Sequence, residues 1–509
     1  MSKNKQILIF SLIGLAVLAA VTAVLLLTAP ADKKDDTVPA DNDFIEEQDE
    51  ALILSDKKAS DVLSVGITND SGTFTLTDSG KTSDDGEKLW TIEDISAAPL
   101  NDNLLTNAVN SAAGFTAKEF AEEVADPSEL AKYGLDAPKA TVKTVFADGT
   151  EFSFSVGNDV PSASATAYIT ADNKNVYTAY KSAISYFSRS KYEFVSLKAV
   201  PDIDTNTEEI TKVTVERADL DEPLIIEEIP TVEGEQGQVF SFRMTSPYTA
   251  YADLTNSAGI VYSLSGLEAA SCEWVGVTDV DYQLAGLDDP NCVITVESTA
   301  GTHTLTLGNV ITEAAEGEDA SSGKIRGILG ISSDVPDVLY MFDVSSITLL
   351  NIMPDSVISK LFLMPYIYSV SSVSYTDSDG RSLDIGIGTV PAASEDADDE
   401  HYFIVNGENI GDSRAVKDLY QYFIGAVGDE TYFEDEKGEF RAEIVYNYID
   451  PENGIGGKDV VRFYDSNDDR KVIISLNGEN LFKSRQMYLT QLFKNVDSFM
   501  NGGEIVQTF

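Results

Sequence analysis

Three stretches of this chain begin and end thirteen residues apart, and that shared spacing constrains the fold more than any single motif. Asn101, Asp253 and Asp412 each precede an apolar-periodic segment that closes at Gly114, Gly266 or Gly425. An Asx side chain accepts hydrogen bonds from the free N–H groups of a helix's first turn. Glycine tolerates the left-handed conformation in which helices commonly end. One such pair is ordinary. Three at one spacing predict a repeated domain, and a length of 509 residues suits about three domains of roughly 150 residues each.

Short alternating strands open each predicted unit: Val62 to Ile67, Lys212 to Glu216, and Ser372 to Tyr375. A further strand precedes each helix, at Lys88 to Ile92, Val239 to Met244, and Tyr402 to Val405. Alternation of period two buries one face and exposes the other. The helices carry apolar stripes suited to covering a sheet: Leu104, Leu105, Ala108, Val109 and Ala112 in the first, Leu254, Val261 and Leu264 in the second, and Val416, Leu419, Tyr420 and Phe423 in the third.

Units one and two also share Gly134-Leu135-Asp136-Ala137-Pro138 and Gly286-Leu287-Asp288-Asp289-Pro290, displaced by 152 residues like the helix-closing glycines. Gly permits an unusual turn, Leu pins it, and the residue before Pro is pushed extended, so a helix-to-strand connector is favoured over a ligand loop. Hairpins turning at Asp148-Gly149 and Ala300-Gly301 follow, with return strands ending Val156-Gly157-Asn158 and Leu307-Gly308-Asn309. Tyr177 and Ile184 match Tyr340 and Ile347 at a displacement of 163, which places an acidic surface insertion around Thr312 to Gly323. Unit three is more divergent. Its hairpin is expected at Val461 to Tyr464, turning at Asn467-Asp468-Asp469 and returning through Val472, Ile474 and Leu476. Ile449-Asp450-Pro451 stands as the remnant of the signature, Asn477-Gly478 replaces Gly-Asn, and Pro391 to Glu400 is a second acidic insertion. Leu481 to Phe499 is expected to be helical, with Met487, Leu489, Leu492, Phe493 and Val496 available for packing.

Residues Ile7 to Leu27 form an uncharged run behind Lys3 and Lys5. At 1.5 Å per residue such a helix reaches roughly 32 Å, enough to cross a bilayer's hydrocarbon core. Its length favours a retained anchor, although Ala29-Pro30-Ala31 also satisfies a small-residue cleavage rule. Lys33 and Lys34 balance the two preceding lysines, so the large acidic body is what favours an external C-terminal region. A formal charge of −50 repels phosphate backbones, which argues against nucleic acid as a partner.

The pattern from Tyr133-Gly134-Leu135-Asp136-Ala137-Pro138 through Val156-Gly157-Asn158 to Tyr168-Ile169 and Val176-Tyr177 resembles a bacterial family, the domain of unknown function numbered 4340. The segment from Gly286 to Tyr340 resembles it as well, so the likeness covers most of residues 60 to 350. Members of that family typically carry one N-terminal membrane segment. They are often encoded beside the ATPase and permease of an ABC transporter of the gliding-motility type. The resemblance implies an extracytoplasmic accessory role near such a transporter and brings no catalytic residues.

Motifs that suggest chemistry are incomplete. His303 and His401 are the only histidines, and neither has a Cys, Ser or second His at useful spacing; His303 is expected on the solvent face of its strand. Gly80-Lys81-Thr82 lacks the earlier glycine of a phosphate loop and is expected to be a hairpin turn. Ser188-Arg189-Ser190-Lys191 has the Ser-x-x-Lys spacing without the companion elements of acyl-serine enzymes. Asp465 to Asp469 starts like a calcium loop but has Arg470 where the turn glycine belongs; Asp377-Ser378-Asp379-Gly380 is expected to be a hairpin turn. Cys272 and Cys292 are expected as buried free thiols in preference to a bridge, because Cys272 falls where Phe120 sits in unit one.

The sequence therefore predicts an α+β chain: a transmembrane anchor (1–28), an acidic tether (29–50), and three related units of mainly antiparallel sheet with a packed helix (51–200, 201–350 and 351–509). The expected role is a non-enzymatic accessory or substrate-contacting component of an ABC-type export or surface-assembly system, with a transporter permease as candidate partner. The alternative is a stand-alone cell-envelope structural or ligand-binding protein. No catalytic residue, cofactor or metal ligand is assigned, and the ligand is unnamed.

Overall fold

The computed structural model describes residues 52–508 apart from 162, 230–239, 254–256, 314–322, 393–398, 452 and 455. The apolar run Ile7 to Leu27, the tether, Leu254 and most of both acidic insertions lie outside the described residues. No helix among the described residues is long and apolar enough to cross a membrane.

A two-stranded ribbon pairs β1 (Leu52–Asp56) with β5 (Gly114–Ala117). The first large sheet contains β2 (Val62–Asn69), β3 (Gly72–Thr82), β4 (Lys88–Ile92), β6 (Glu119–Glu123), β7 (Ala140–Phe146), β8 (Glu151–Asp159), β9 (Thr166–Thr170) and β10 (Asn175–Tyr180). The second holds β11 (Ile210–Arg217), β12 (Leu224–Glu228), β13 (Phe242–Ser246), β14 (Ala250–Tyr251), β15 (Ser271–Val275), β16 (Cys292–Ser298), β17 (Thr302–Glu313), β18 (Lys324–Ser332) and β19 (Val335–Phe342). The third holds β20 (Val370–Asp377), β21 (Ser382–Val390), β22 (Glu400–Val405), β23 (Glu408–Gly411), β24 (Glu430–Thr431), β25 (Phe440–Tyr448), β26 (Lys458–Asp465), β27 (Lys471–Leu476) and β28 (Glu479–Arg485).

One strand order serves all three, except that the first sheet lacks the outermost strand supplied by β14 and β23 in the others. The orders are β4-β3-β2-β7-β8-β9-β10-β6, then β14-β13-β12-β11-β16-β17-β18-β19-β15, then β23-β22-β21-β20-β25-β26-β27-β28-β24. The opening strand is central, the next strands step outward to one edge, a helix crosses, and a short strand takes the far edge. The last four strands then fill the gap. Each opening strand has its register broken after its first residue, at Val62/Ser64, Ile210/Lys212 and Val370/Ser372. The extra residue of such a bulge bends the strand locally. The buried sets Val62, Val65, Ile67; Ile210, Val213, Val215; and Val370, Val373, Tyr375 occupy matching places along these strands. Their faces join one hydrophobic core that runs through all three sheets, and Leu52–Phe509 packs as one compact unit.

The helices Asp102–Ala113, Ser257–Val261 and Arg414–Phe423 stand where expected, but their ends differ. Asn101 caps the first, its side chain accepting from the Leu104 N–H at 3.0 Å. The third starts after Ser413, whose side chain makes no capping hydrogen bond, and Asp412 lies one residue earlier and pairs with Lys417 at 2.6 Å. Gly266 alone of the three closing glycines is left-handed, with φ of 65°. Gly114 is extended and starts β5, since the ribbon, not a glycine cap, takes over the helix end; Ser55 donates to the Ala113 carbonyl.

The Gly-Leu-Asp-x-Pro turns and the Gly-Asn pairs of β8 and β17 are two halves of one clasp. Gly134 and Gly286 are left-handed, with φ of 66° and 72°, and a Cβ on either would strike Asn158 or Asn309. A Cβ on Gly157 or Gly308 would strike the carbonyl oxygen of Tyr133 or Ala285 in return. Main chain therefore packs on main chain, and Asn309 ties the second clasp by donating to Ala285 O at 2.7 Å and Leu284 O at 3.0 Å.

In the third sheet the expected hairpin is misplaced by one. The strand equivalent to β7 and β16 is β25, and it returns through β26. The turn at Asn467-Asp468-Asp469 joins β26 to β27, and Asn477-Gly478 joins β27 to β28. Ile449-Asp450-Pro451 follows β25, so it cannot be the connector remnant; the segment before β25 ends at Gly438-Glu439, which exchanges backbone hydrogen bonds with Asp465 at 2.9 Å. Leu481 to Arg485 is strand, and the helix is Gln486–Met500, with Met487 exposed and Leu489, Leu492 and Val496 buried.

Candidate functional site

Where the second sheet meets the third, two hairpin turns, a connector and an edge strand enclose a cleft of about 660 Å³. That volume lies within the range of small-molecule sites. Asp219, Leu220, Asp221 and Glu222 come from the β11–β12 turn, and Pro247 and Tyr248 from the β13–β14 turn. The connector gives Met353, Pro354 and Asp355, and the far wall is Thr431 of β24 with Phe433. The rings of Tyr248 and Phe433 stack across the sheet boundary, 4.1 Å between centroids and 8° from parallel.

Arg217 fixes this geometry. Its guanidinium donates to Asp219 through Nε (2.6 Å) and Nη2 (3.1 Å), and to the Leu350 and Ile352 carbonyls through Nη1, both at 2.9 Å. One buried cation thus locks the turn to the connector and holds the Asp219 carboxyl below its usual range. Asp221, Glu222 and Asp355 make no ion pair among the described residues. Burial pushes the Tyr248 hydroxyl above its usual value, and the carboxylates of Glu479, Glu222 and Asp435 add to that effect. The cleft is therefore electronegative at an aromatic wall, with Leu220, Pro247, Met353 and Pro354 supplying apolar surface.

A buried carboxylate holds the two sheets together behind the cleft. Asp459 accepts from Tyr448 Oη at 2.6 Å, Asn477 Nδ2 at 2.8 Å and Tyr251 Oη at 3.2 Å, the last from the second sheet. Thr249 N–H donates to Glu479 at 2.7 Å, and Ser359 N–H to the Tyr251 carbonyl at 2.8 Å. Such contacts make the walls parts of one packed body.

None of the residues weighed from the sequence lines this cleft. His303 is not on a free solvent face: its Nδ1 is 2.9 Å from Asp334, and the ring is largely covered. His401 stacks on Tyr368 at 3.5 Å and bonds Thr389. Gly80-Lys81-Thr82 ends β3 beside the β3–β4 turn. Ser190 caps a short 3-10 helix in a reciprocal box with Glu193. Asp468 folds back on Arg470 in the β26–β27 turn. Asp377 closes the β20–β21 hairpin and is fully covered, accepting from Tyr375 Oη and Arg381 Nε, both at 2.6 Å.

Cys272 and Cys292 are both free thiols. Phe120 and Cys272 do occupy one place, each opposite the tyrosine of the adjoining strand, Tyr177 or Tyr340. Their surroundings differ: Phe120 is 51% exposed, whereas Cys272 is half-buried and packs against the hydrophobic core opposite Tyr340, and Cys292 is buried. Cys272 packs on the core as expected, and the edge position of β15 leaves it incompletely covered. The cleft was missed because its residues come from separate turns with no motif in common; Tyr248 beside Pro247 is the nearest thing to a signal.

No curated protein and no solved structure matches this chain. The family match begins inside β4 and ends with β12, so it takes in the first helix, the remainder of the first sheet and the opening hairpin of the second. Residues 90–228 match the family described as Domain of unknown function (DUF4340), the family that the Gly-Leu-Asp-x-Pro region resembles.

Proposed function

We propose that this chain is a non-enzymatic, membrane-anchored binding component of an ABC-type export or surface-assembly system, with residues 51–200, 201–350 and 351–509 as three related units held outside the cytoplasm. The cleft between the second and third sheets carries this reading. Concavities between neighbouring units are where ligand sites commonly form, and this one presents carboxylates and aromatic faces on a fixed frame. The shared strand order and the recurrent bulge support the triplication. The apolar run behind Lys3 and Lys5 supports the anchor.

Photo-cross-linking from position 222 in intact membranes tests the reading. A product with an integral membrane protein supports it; products only between copies of this chain count against it. Protease added to intact cells should cut the acidic body, and resistance until lysis would reverse the orientation. A second reading, a stand-alone envelope ligand-binding protein, draws on the size of the cleft and its mixed carboxylate and aromatic lining. It predicts ligand binding by the purified protein with no membrane partner.

A further inference from the structure

We propose that the cleft takes a linear organic polyamine, a chain of methylenes carrying two or more ammonium groups. The proposal deepens the reading of this cleft as a binding site but requires no transporter. Four of its eleven lining residues are acidic and none is basic, so the net demand is for positive charge. Arg217 already satisfies Asp219, which leaves Asp221, Glu222 and Asp355 on the rim to meet more than one ammonium. The remaining surface is apolar, through Leu220, Met353 and the proline rings, and suits a methylene stem. Tyr248 and Phe433 cover one face of each other, and the ring surface that each leaves to the cleft attracts ammonium groups and packs against CH₂. A bare divalent cation would leave that apolar and aromatic wall unused, since hard cations take oxygen ligands.

The same chemistry separates a built site from loose condensation of cations on a chain of charge −50. Spermidine is titrated calorimetrically into the full-length protein in detergent at about 150 mM salt, where exposed charges more than about 8 Å apart are largely screened. We expect one saturable site per chain that an equal concentration of Mg²⁺ does not displace. E222Q/D355N should weaken it at least about tenfold, and F433L about fivefold, in line with desolvated cation–π contacts. D84N/D85N, which removes two charges from the exposed β3–β4 turn, should leave it unchanged. Three results would overturn the proposal: many weak sites indifferent to E222Q/D355N, binding that F433L leaves intact, or displacement by Mg²⁺. Selective binding of a lysine-rich peptide with none of spermidine would assign the cleft to a protein partner. Failure to recover a permease would leave these outcomes untouched, so the two readings fail separately.

Discussion

Adding one methyl group at Gly308 tests whether the Gly-Leu-Asp-x-Pro turn and the Gly-Asn pair are a single packing device. A Cβ there would stand 2.1 Å from the Ala285 carbonyl oxygen, and one at Gly157 would stand 2.3 Å from that of Tyr133. Carbon and oxygen rarely approach within about 3 Å, so each substitution forces roughly 0.7–0.9 Å of main-chain movement in a close-packed region. Overpacking typically costs about 1–3 kcal/mol. In the second clasp the displaced carbonyl also accepts the Asn309 N–H, so the penalty should fall at the top of that range. We expect G308A to cost about 3 kcal/mol and G157A about 2 kcal/mol. Gly149 sits in open space at φ of 83°, and G149A should lose only the left-handed backbone term of about 1 kcal/mol. Gly301 has open space and no positive φ, so G301A should change stability by less than about 0.5 kcal/mol. Urea unfolding followed by tryptophan fluorescence gives these values; Trp90 lies in the first sheet and Trp274 in the second. If G308A unfolds at the same midpoint as G301A, the clasp is not rigid and the reasoning fails.

Three further predictions concern the caps and buried carboxylates. N101A should destabilise by about 1 kcal/mol and D412A by less than about 0.5 kcal/mol, because Asn101 caps its helix whereas Asp412 lies outside the cap position and pairs with Lys417; equal losses in denaturant unfolding would restore the symmetric expectation. D459A strips the acceptor from two phenols and an amide between the second and third sheets and should cost about 3 kcal/mol in the same assay; a loss under about 1 kcal/mol would mean that Asp459 does not hold the sheets together. Burial pushes Asp377 upward, but hydrogen bonds from Tyr375 and Arg381 outweigh it and hold the carboxyl below its usual range. A depressed folded value means the contribution is complete above about pH 5 and is lost as pH falls through that value, below about pH 4. D377N should therefore lower the melting temperature at about pH 6 and flatten its decline towards about pH 2, and parallel curves for D377N and the unaltered protein would contradict this.

Local pattern was legible and long-range partnership was not. Period-two runs marked β2, β4, β11 and β20, and the apolar stripes marked the three helices, because both signals depend only on neighbours in sequence. Alignment of Cys272 with Phe120 was also correct, yet the degree of burial at that place was not legible, since an edge strand's exposure depends on what covers the sheet. The third sheet shows the limit most clearly. Turns at Asn467-Asp468-Asp469 and Asn477-Gly478 carry residues that suit any hairpin, so nothing local says which of successive hairpins each one closes. The segment Leu481 to Arg485 before Met487 became part of β28, because its pairing with β27 overrode the helical spacing. The cleft's walls are separated by up to 214 residues of chain, from Asp219 to Phe433, and only the topology brings Tyr248 onto Phe433.

Gentle-detergent purification of the full-length chain from its native membranes, followed by identification of what accompanies it, tests the functional account most directly. A stoichiometric integral membrane permease is the predicted companion. Recovery of this chain alone, intact and still able to bind spermidine, would contradict a transporter role and leave a solitary envelope binding protein in its place.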